Sequence, residues 1–269
     1  MRLGISPFAT TREGALELAA TAVEGGLDTL WLGDGYLSNP DFGGWAGGME
    51  SMAELAWLAG RFPAARVGIT AAVMPIRDPV WTAKQANTID RVAGGGFVLV
   101  VAPGFWRQDV EACGVRYEDR GSVFAARLDE LQDALGDGRF SPGPRAEGPP
   151  PIWLAGARAT MDRAIDKGLT FQSSRTTPDD LEPLAKEFFD RGGTALAHRV
   201  RVEYGTHTVE GEVVDWNAVT GSVDQLVDSL HRYREIGVGD LAIIPGQDDS
   251  TSERTLEILV SEVVPQLAA

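Results

Sequence analysis

Two short stretches carry groups whose type and placement could do chemistry. The turn Ala155-Gly156-Ala157-Arg158 follows a short apolar run and opens a helix at Ala159. Backbone N–H groups at such a turn, backed by the positive end of a helix dipole, form an anion site, and the Arg158 guanidinium adds a planar charged donor. A plain turn with a solvated arginine is the alternative. Asp34 stands just past another apolar run, where a carboxylate could hydrogen-bond a reacting partner and shuttle a proton. Asp34-Gly35 is also a common turn pair. The histidines are His198, His207 and His231. No HExxH and no His/Asp spacing suggests a metal triad, so no metal is expected. His231 falls on the polar side of a helix, and His207 reads as a strand or loop histidine. Nucleophile-elbow and P-loop motifs are missing, which argues against a hydrolase or an NTPase.

These groups need elements to position them, and two kinds of apolar run alternate along the chain. Short β-rich runs lie at Leu3–Ile5, Thr29–Leu32, Val67–Val73, Phe97–Val101, Ile152–Ala155, Leu169–Gln172, Arg199–Glu203 and Leu241–Ile244. Most are continuously apolar, as strands buried on both faces should be. The run at 199–203 differs, with charges at every second position. Between the runs, Phe124, Leu128, Leu131 and Leu135 share one helical face, as do Leu226, Leu230 and Tyr233, and Leu256, Leu259, Val260 and Val263. Capping-box spacing occurs at Thr10/Glu13, Ser222/Gln225 and Ser250/Glu253. Asp78-Pro79 and Thr177-Pro178 put proline at a first helical position. Eight strands alternating with helices predict a parallel sheet, and about 250 residues suits a closed (β/α)8 TIM barrel. The open doubly wound sheet is the competing reading, but Gly33-Asp34-Gly35 lacks the third glycine of a dinucleotide fingerprint. Asp34 to Gly48 reads as a long rim loop, and the Gly/Pro-rich stretch from Gly136 to Pro151 separates the barrel halves.

Composition bounds the function. The chain has 269 residues, 43% of them hydrophobic, 24 basic residues against 39 acidic ones and a net charge of −15. Such acidity repels phosphate backbones, so no nucleic-acid partner is expected. No stretch approaches the roughly 20 apolar residues of a membrane span, and the N-terminal residues have no charged-then-apolar leader. A cytoplasmic protein without a membrane partner is expected. The single cysteine, Cys113, rules out an intrachain disulfide and a CxxC metal knuckle.

The segment Val67–Arg120, with Met74-Pro75, Asp78-Pro79 and Pro103-Gly104-Phe105-Trp106 in order, resembles the bacterial luciferase-like superfamily. That superfamily includes FMN-dependent monooxygenases and oxidoreductases dependent on the deazaflavin coenzyme F420. Gly26–Leu32, Pro151–Gly156, Gly221–Asp224 and Gly237-Val238 extend the resemblance over nearly the whole chain. It implies a single luciferase-like (β/α)8 barrel over residues 1–269, a small-molecule substrate and a homodimer. It also implies a non-prolyl cis peptide at Thr70-Ala71, with Ala72 beside it, pressed against the cofactor ring. Small residues there suit close approach of a flat ring, although they could equally be ordinary barrel-interior residues. Ala102, at the end of the fourth strand, would line the same site. It is followed by Pro103 where luciferases have Cys-Arg, so that arginine is missing. Gly156, Ala157 and Arg158 would hold the cofactor phosphate, with Arg120 in reach of it or else paired with Glu118 or Asp119. Asp34 matches the acidic residue that precedes histidine in many members, but here Gly35 follows. Trp45, Phe105 and Trp106 are candidates to wall the mouth, whereas Trp31, Trp57, Trp81 and Trp153 suggest core or helix packing.

The leading function is F420-dependent hydride transfer to or from a small organic substrate, with Asp34 managing a proton. An FMN-dependent monooxygenase fed by a separate reductase is the alternative. A non-catalytic flavin-binding barrel is a third reading. A Schiff-base lyase barrel needs a lysine at a strand end, but Lys84, Lys167 and Lys186 all fall in helical stretches.

Overall fold

The computed structural model describes residues 1–7, 9, 11–37, 49–205, 218–246 and 248–268. The strands are β1 (Arg2–Ile5), β2 (Thr29–Leu32), β3 (Arg66–Val73), β4 (Phe97–Ala102), β5 (Ile152–Ala155), β6 (Thr170–Ser174), β7 (Leu196–Tyr204), β8 (Ala218–Gly221) and β9 (Val238–Ile244). The helices are α1 (Arg12–Glu24), α2 (Ser51–Arg61), α3 (Pro79–Val92), α4 (Arg107–Ala112), α5 (Arg120–Gly136), α6 (Arg158–Lys167), α7 (Pro178–Asp190), α8 (Val223–Glu235), α9 (Asp249–Ile258) and α10 (Val264–Ala268). β1 to β7 pair in order, β7 pairs with β9, and β9 returns to β1, all in parallel. This closes an eight-stranded (β/α)8 barrel, the fold expected from the eight apolar runs. The run at 199–203, with its alternating charges, is part of the long β7.

β8 was not expected from the sequence. β7 pairs with β6 along Phe171–Ser174 and then, higher up, with β8 along Ala218–Gly221. β7 therefore rises past the end of β6, and β8 takes up its exposed edge.

The two faces of each strand have different jobs. Val67, Ile69, Leu99, Val101, Phe171, Val200 and Val202 pack outward against helical residues such as Leu128, Leu131, Leu226 and Tyr233. The barrel interior holds Trp31, Val98, Val100, Trp153, Ala197 and Ala242. The rings of Trp31 and Trp153 lie 5.6 Å apart. The indole of Trp31 fits only because its neighbours on β1 and β3 are glycines. A Cβ on Gly4 would lie 2.4 Å from Trp31 Nε1, and one on Gly68 would lie 2.2 Å from its Cζ3. Below, Asp240 accepts from Arg2 at 2.9 and 2.8 Å and from Arg66 at 2.8 Å, which closes the bottom with ions.

The helix starts show which capping signals were sound. Ser222 and Gln225 form the expected capping box of α8. Pro79 and Pro178 begin α3 and α7 behind the caps Asp78 and Thr177. The start of α1 is capped by Thr11, whose hydroxyl accepts from Gly14 N–H at 3.1 Å; Thr10 lies outside the described residues. For α9 the cap is Asp248, not Ser250. Its carboxylate takes the Thr251 N–H at 2.8 Å and the Ser250 hydroxyl at 2.8 Å, a stronger acceptor two residues earlier. Among the described residues no helix is long and apolar enough to cross a membrane, and no group of three His, Cys, Asp or Glu could hold a metal.

Candidate active site at the barrel mouth

Above the tryptophan layer the interior side chains shrink. Gly68 faces inward, and Thr70 continues that face, while Ala71 packs on the interior cluster beside it. The peptide between Thr70 and Ala71 is cis, and the pairing with β4 shifts register between Ile69 and Ala72. Two consecutive residues thus face the barrel axis where a regular strand would show one. Alternation from Val98 and Val100 turns Ala102 inward as well, opposite Val73. Ala155, on β5, packs on the same cluster. The result is a floor of small residues from three adjacent strands. Thr70 Oγ1 donates to Gln172 Oε1 of β6 at 2.5 Å, and Gln172 Nε2 is buried without a partner.

Asp34 lies beside this floor but is fully engaged. Its Oδ2 accepts from Val73 N–H at 2.9 Å and from Arg77 Nε at 2.7 Å. Its Oδ1 accepts from Arg77 Nη2 at 2.5 Å. The two side chains are 1% and 4% exposed. Arg77 Nη2 also donates to Glu50 at 2.8 Å. Burial weakens the hold of Arg77 on its proton, but the bonds from Asp34 outweigh this and raise its pKa. A second carboxylate, Asp109, accepts from Tyr36 N–H at 3.2 Å and Leu37 N–H at 2.9 Å. Arg127 Nη1 donates to the carbonyls of Met74, Pro75 and Arg77 at 3.1, 2.9 and 2.9 Å. Together these bonds tie the ends of β2 and β3 to α4 and α5. The geometry makes Asp34 an anchor for the end of β3.

After β5, Gly156 leads into α6, whose cap Ala157 supplies no side-chain hydrogen bond. A Cβ on Gly156 would lie 2.6 Å from Thr160 Oγ1, so only glycine lets the chain run this close to the helix. Arg158 does not add its charge to this turn. Its guanidinium pairs with both oxygens of Glu187 on α7, in the outer helical layer. Arg120 forms neither of the ion pairs considered for it. It donates to the Gly104 carbonyl at 3.1 Å and the Tyr117 carbonyl at 2.9 Å, and it lies 3.8 Å over the Tyr117 ring. It therefore fixes the loop after β4.

The order of these elements and residues has a counterpart among known proteins. The family model described as luciferase-like monooxygenase matches residues 5–192, from the last residue of β1 through α7. The chain belongs to that family. As a solved structure, monooxygenase RslO1 from Streptomyces bottropensis is similar over 99% of both chains, with a TM-score of 0.79 and 15% identity. An F420-dependent secondary alcohol dehydrogenase, solved with an F420-acetone adduct, gives 0.79 at 13% identity over 99% of this chain and 98% of that one. The oxygenating constituent of 3,6-diketocamphane monooxygenase from Pseudomonas putida, solved with FMN, gives 0.76 at 14% over 99% and 98%. At these identities the likeness is one of fold. No curated protein matches the chain by sequence.

In this luciferase-like oxidoreductase several mouth residues escaped the sequence reading. Arg199, Arg201 and Glu203 follow Ala197 on the inward face of β7, because Val200 and Val202 pack outward. Alternating charge was therefore the mark of a strand whose upper half lines the mouth. Arg201 Nε lies 3.7 Å from Glu203 Oε1. Burial, with the nearby charge of Arg175, pulls the Arg199 guanidinium down to about 10. Phe105 stands exposed at the rim under Arg175, whose guanidinium is 4.9 Å from the ring. Trp45 and His207 lie outside the described residues. Trp57 and Trp81, expected in packing, are 39% and 58% exposed on α2 and α3. His198 turns away from the mouth and stacks on Tyr233 at 5.1 Å.

Proposed function

We propose that this oxidoreductase holds coenzyme F420 at the barrel mouth and catalyses hydride transfer to or from a small organic substrate. The observation that carries the reading is the floor of Thr70, Ala71, Ala102 and Ala155, small enough for a flat ring to rest on backbone. A cofactor with a charged tail also fits the turn after β5. The close approach at Gly156 and the cap at Ala157, which leaves the first N–H groups of α6 without a side-chain acceptor, suit a phosphate. Bound F420 would supply hydride chemistry at a carbon centre.

The residues of the chain then have simple tasks. Thr70 and Ala71 would support the ring, and Asp34, Arg77 and Arg127 would hold that support in place through the end of β3. Gly156 and Ala157 would hold the phosphate by backbone. With Asp34 committed to Arg77, the protein supplies positioning in preference to acid–base chemistry, and hydride transfer demands the least of it. An FMN-dependent monooxygenase is the second reading, favoured by the description of the family.

The test is a titration with oxidised and reduced F420 and FMN, read as quenching of Trp31 and Trp153 fluorescence. Saturable binding of F420 over FMN supports the proposal. FMN binding with oxygen consumption on reduction moves the assignment to the second reading, and binding of neither refutes both. A homodimer is proposed with it, on the exposed Trp57 and Trp81, and sedimentation velocity decides that point.

A further inference from the structure

We infer that the side-chain amide of Gln172 donates a hydrogen bond to a carbonyl oxygen of the cofactor ring and so favours the ring's reduced state. The inference rests on the reading of the mouth as a flavin or deazaflavin site and deepens it. Gln172 is the middle residue of β6, flanked in register by Ala155 on β5 and Ala197 on β7. Ala197 belongs to the interior cluster and Ala155 packs on it. Register partners in a sheet point to the same face, so the Gln172 side chain enters the barrel. There it meets Thr70 of β3, although β4 and β5 lie between the two strands, and Thr70 Oγ1 donates to its Oε1 at 2.5 Å.

The pair holds more hydrogen-bonding capacity than it uses. Gln172 is 3% exposed and Thr70 is 1% exposed, yet Gln172 Nε2 has no partner among the described residues. The methyl groups of Ala155 and Ala197 on either side offer none. Turning the carboxamide over would not cure this, because one hydroxyl satisfies one end and orphans the other. A buried N–H without an acceptor costs stability, and native proteins keep few of them. This one lies at the level of the small-residue floor. Ala155 is the register neighbour of Gln172, Ala71 follows Thr70, and Ala71, Ala102 and Ala155 are half-buried where the polar pair is closed off. A ring laid on that floor brings the missing acceptor. F420 and FMN both carry carbonyl oxygens on one edge of the ring, and the negative charge on that edge grows when the ring takes up hydride. A fixed neutral donor in a dry site does most for the state with more charge. The Thr70 hydroxyl holds Oε1, which leaves Nε2 for the ring.

The experiment titrates oxidised and reduced F420 and FMN into the full chain, read by tryptophan fluorescence. It compares the wild type, Gln172→Met, which keeps the side-chain length without the donor, and Gln172→Met combined with Thr70→Val. Infrared spectra of the bound oxidised ring and melting curves of the ligand-free proteins complete it. In Gln172→Met the reduced form should lose affinity roughly 10- to 100-fold and the oxidised form no more than about tenfold. A ring carbonyl band should move to higher frequency in the same variant. The ligand-free double variant should melt at or above the wild type, since both polar groups leave together. If Gln172→Met does not fold, the double variant supplies the same comparison. Equal loss in both states, with the carbonyl band unmoved, would make the pair structural and overturn the inference. Unchanged affinity in both states would mean that Nε2 holds only water, and would overturn it as well. Either result leaves the cofactor reading intact, whereas a wild type that binds neither cofactor sinks that reading and the inference with it. Binding of FMN in place of F420 moves the functional assignment and keeps the inference, because both rings carry the carbonyls.

Discussion

Replacing Asp34 with alanine should unfold the end of β3 before it alters any chemistry. The substitution strands the Arg77 guanidinium, whose side chain is 4% exposed, and leaves it with Glu50 as its remaining carboxylate, itself 44% exposed. It also orphans the Val73 N–H that Asp34 accepts at 2.9 Å. Removing one partner of a buried pair costs about 3–5 kcal/mol, because the charge left behind stays desolvated. For a domain near this size each kcal/mol moves the melting midpoint by roughly 2–4 °C, so a drop of about 6–20 °C is expected. Circular dichroism melts of the wild type, Asp34→Ala, and the double variant Asp34→Leu with Arg77→Met would measure it. The double variant should recover most of the loss, since it removes both charges and keeps apolar volume. A single variant that melts within about 2 °C of wild type would refute the anchor, as would a double variant less stable than Asp34→Ala, because the cost assigned to a stranded charge should vanish with the charge. Asp34→Ala losing turnover while keeping its melting point would restore a proton-handling role.

Three further outcomes follow from the packing. Burial pulls the His198 imidazole down to about 4, against the pull of backbone acceptors near Thr176 and Ser173. The unfolded chain binds that proton first, so stability should fall by about 3 kcal/mol as pH drops from 6.5 toward 4; urea midpoints of wild type minus His198→Gln, taken across that window, should show the slope, and parallel curves would exclude it. Gly68→Ala should cost roughly 1–3 kcal/mol or more through collision with Trp31, whereas Gly60→Ala, whose Cβ would meet nothing nearer than 3.9 Å, should gain up to about 1 kcal/mol. Denaturant titration ranks the two, and the reverse order would mean that Trp31 can move aside. Arg158→Ala should change stability by less than about 1 kcal/mol, since its pair with Glu187 is exposed. Its affinity for F420 and FMN should stay near wild type, and a loss of about tenfold would mean that the guanidinium leaves Glu187 for the ligand.

Every expected strand is present, because a strand buried on both faces advertises itself as an unbroken apolar run. The same property hides which face is which. Trp31 and Trp153 fill the barrel while Trp57 and Trp81 stand on its outside, and nothing local in the four tryptophans separates them. The signal lay in Gly4 and Gly68, glycines inside strands, which make sense only once Trp31 is known to lie across them. β8 was illegible for another reason: four residues, Ala218–Gly221, form a strand only because β7 outruns β6 and offers an edge. The site divides along the same line. Thr70, Ala71, Ala102, Gly156 and Ala157 could be singled out from sequence because what marks them is backbone and small size, the features the proposed cofactor site would use. Asp34 could be singled out, but its partner could not, since that partner is Arg77, 43 residues along the chain. A carboxylate's chemistry depends on who takes its lone pairs, and a list of neighbours in sequence does not contain that information. Arg199, Arg201 and Glu203 mark the limit. They are identified by which way a strand faces, and that property exists only after the barrel has closed.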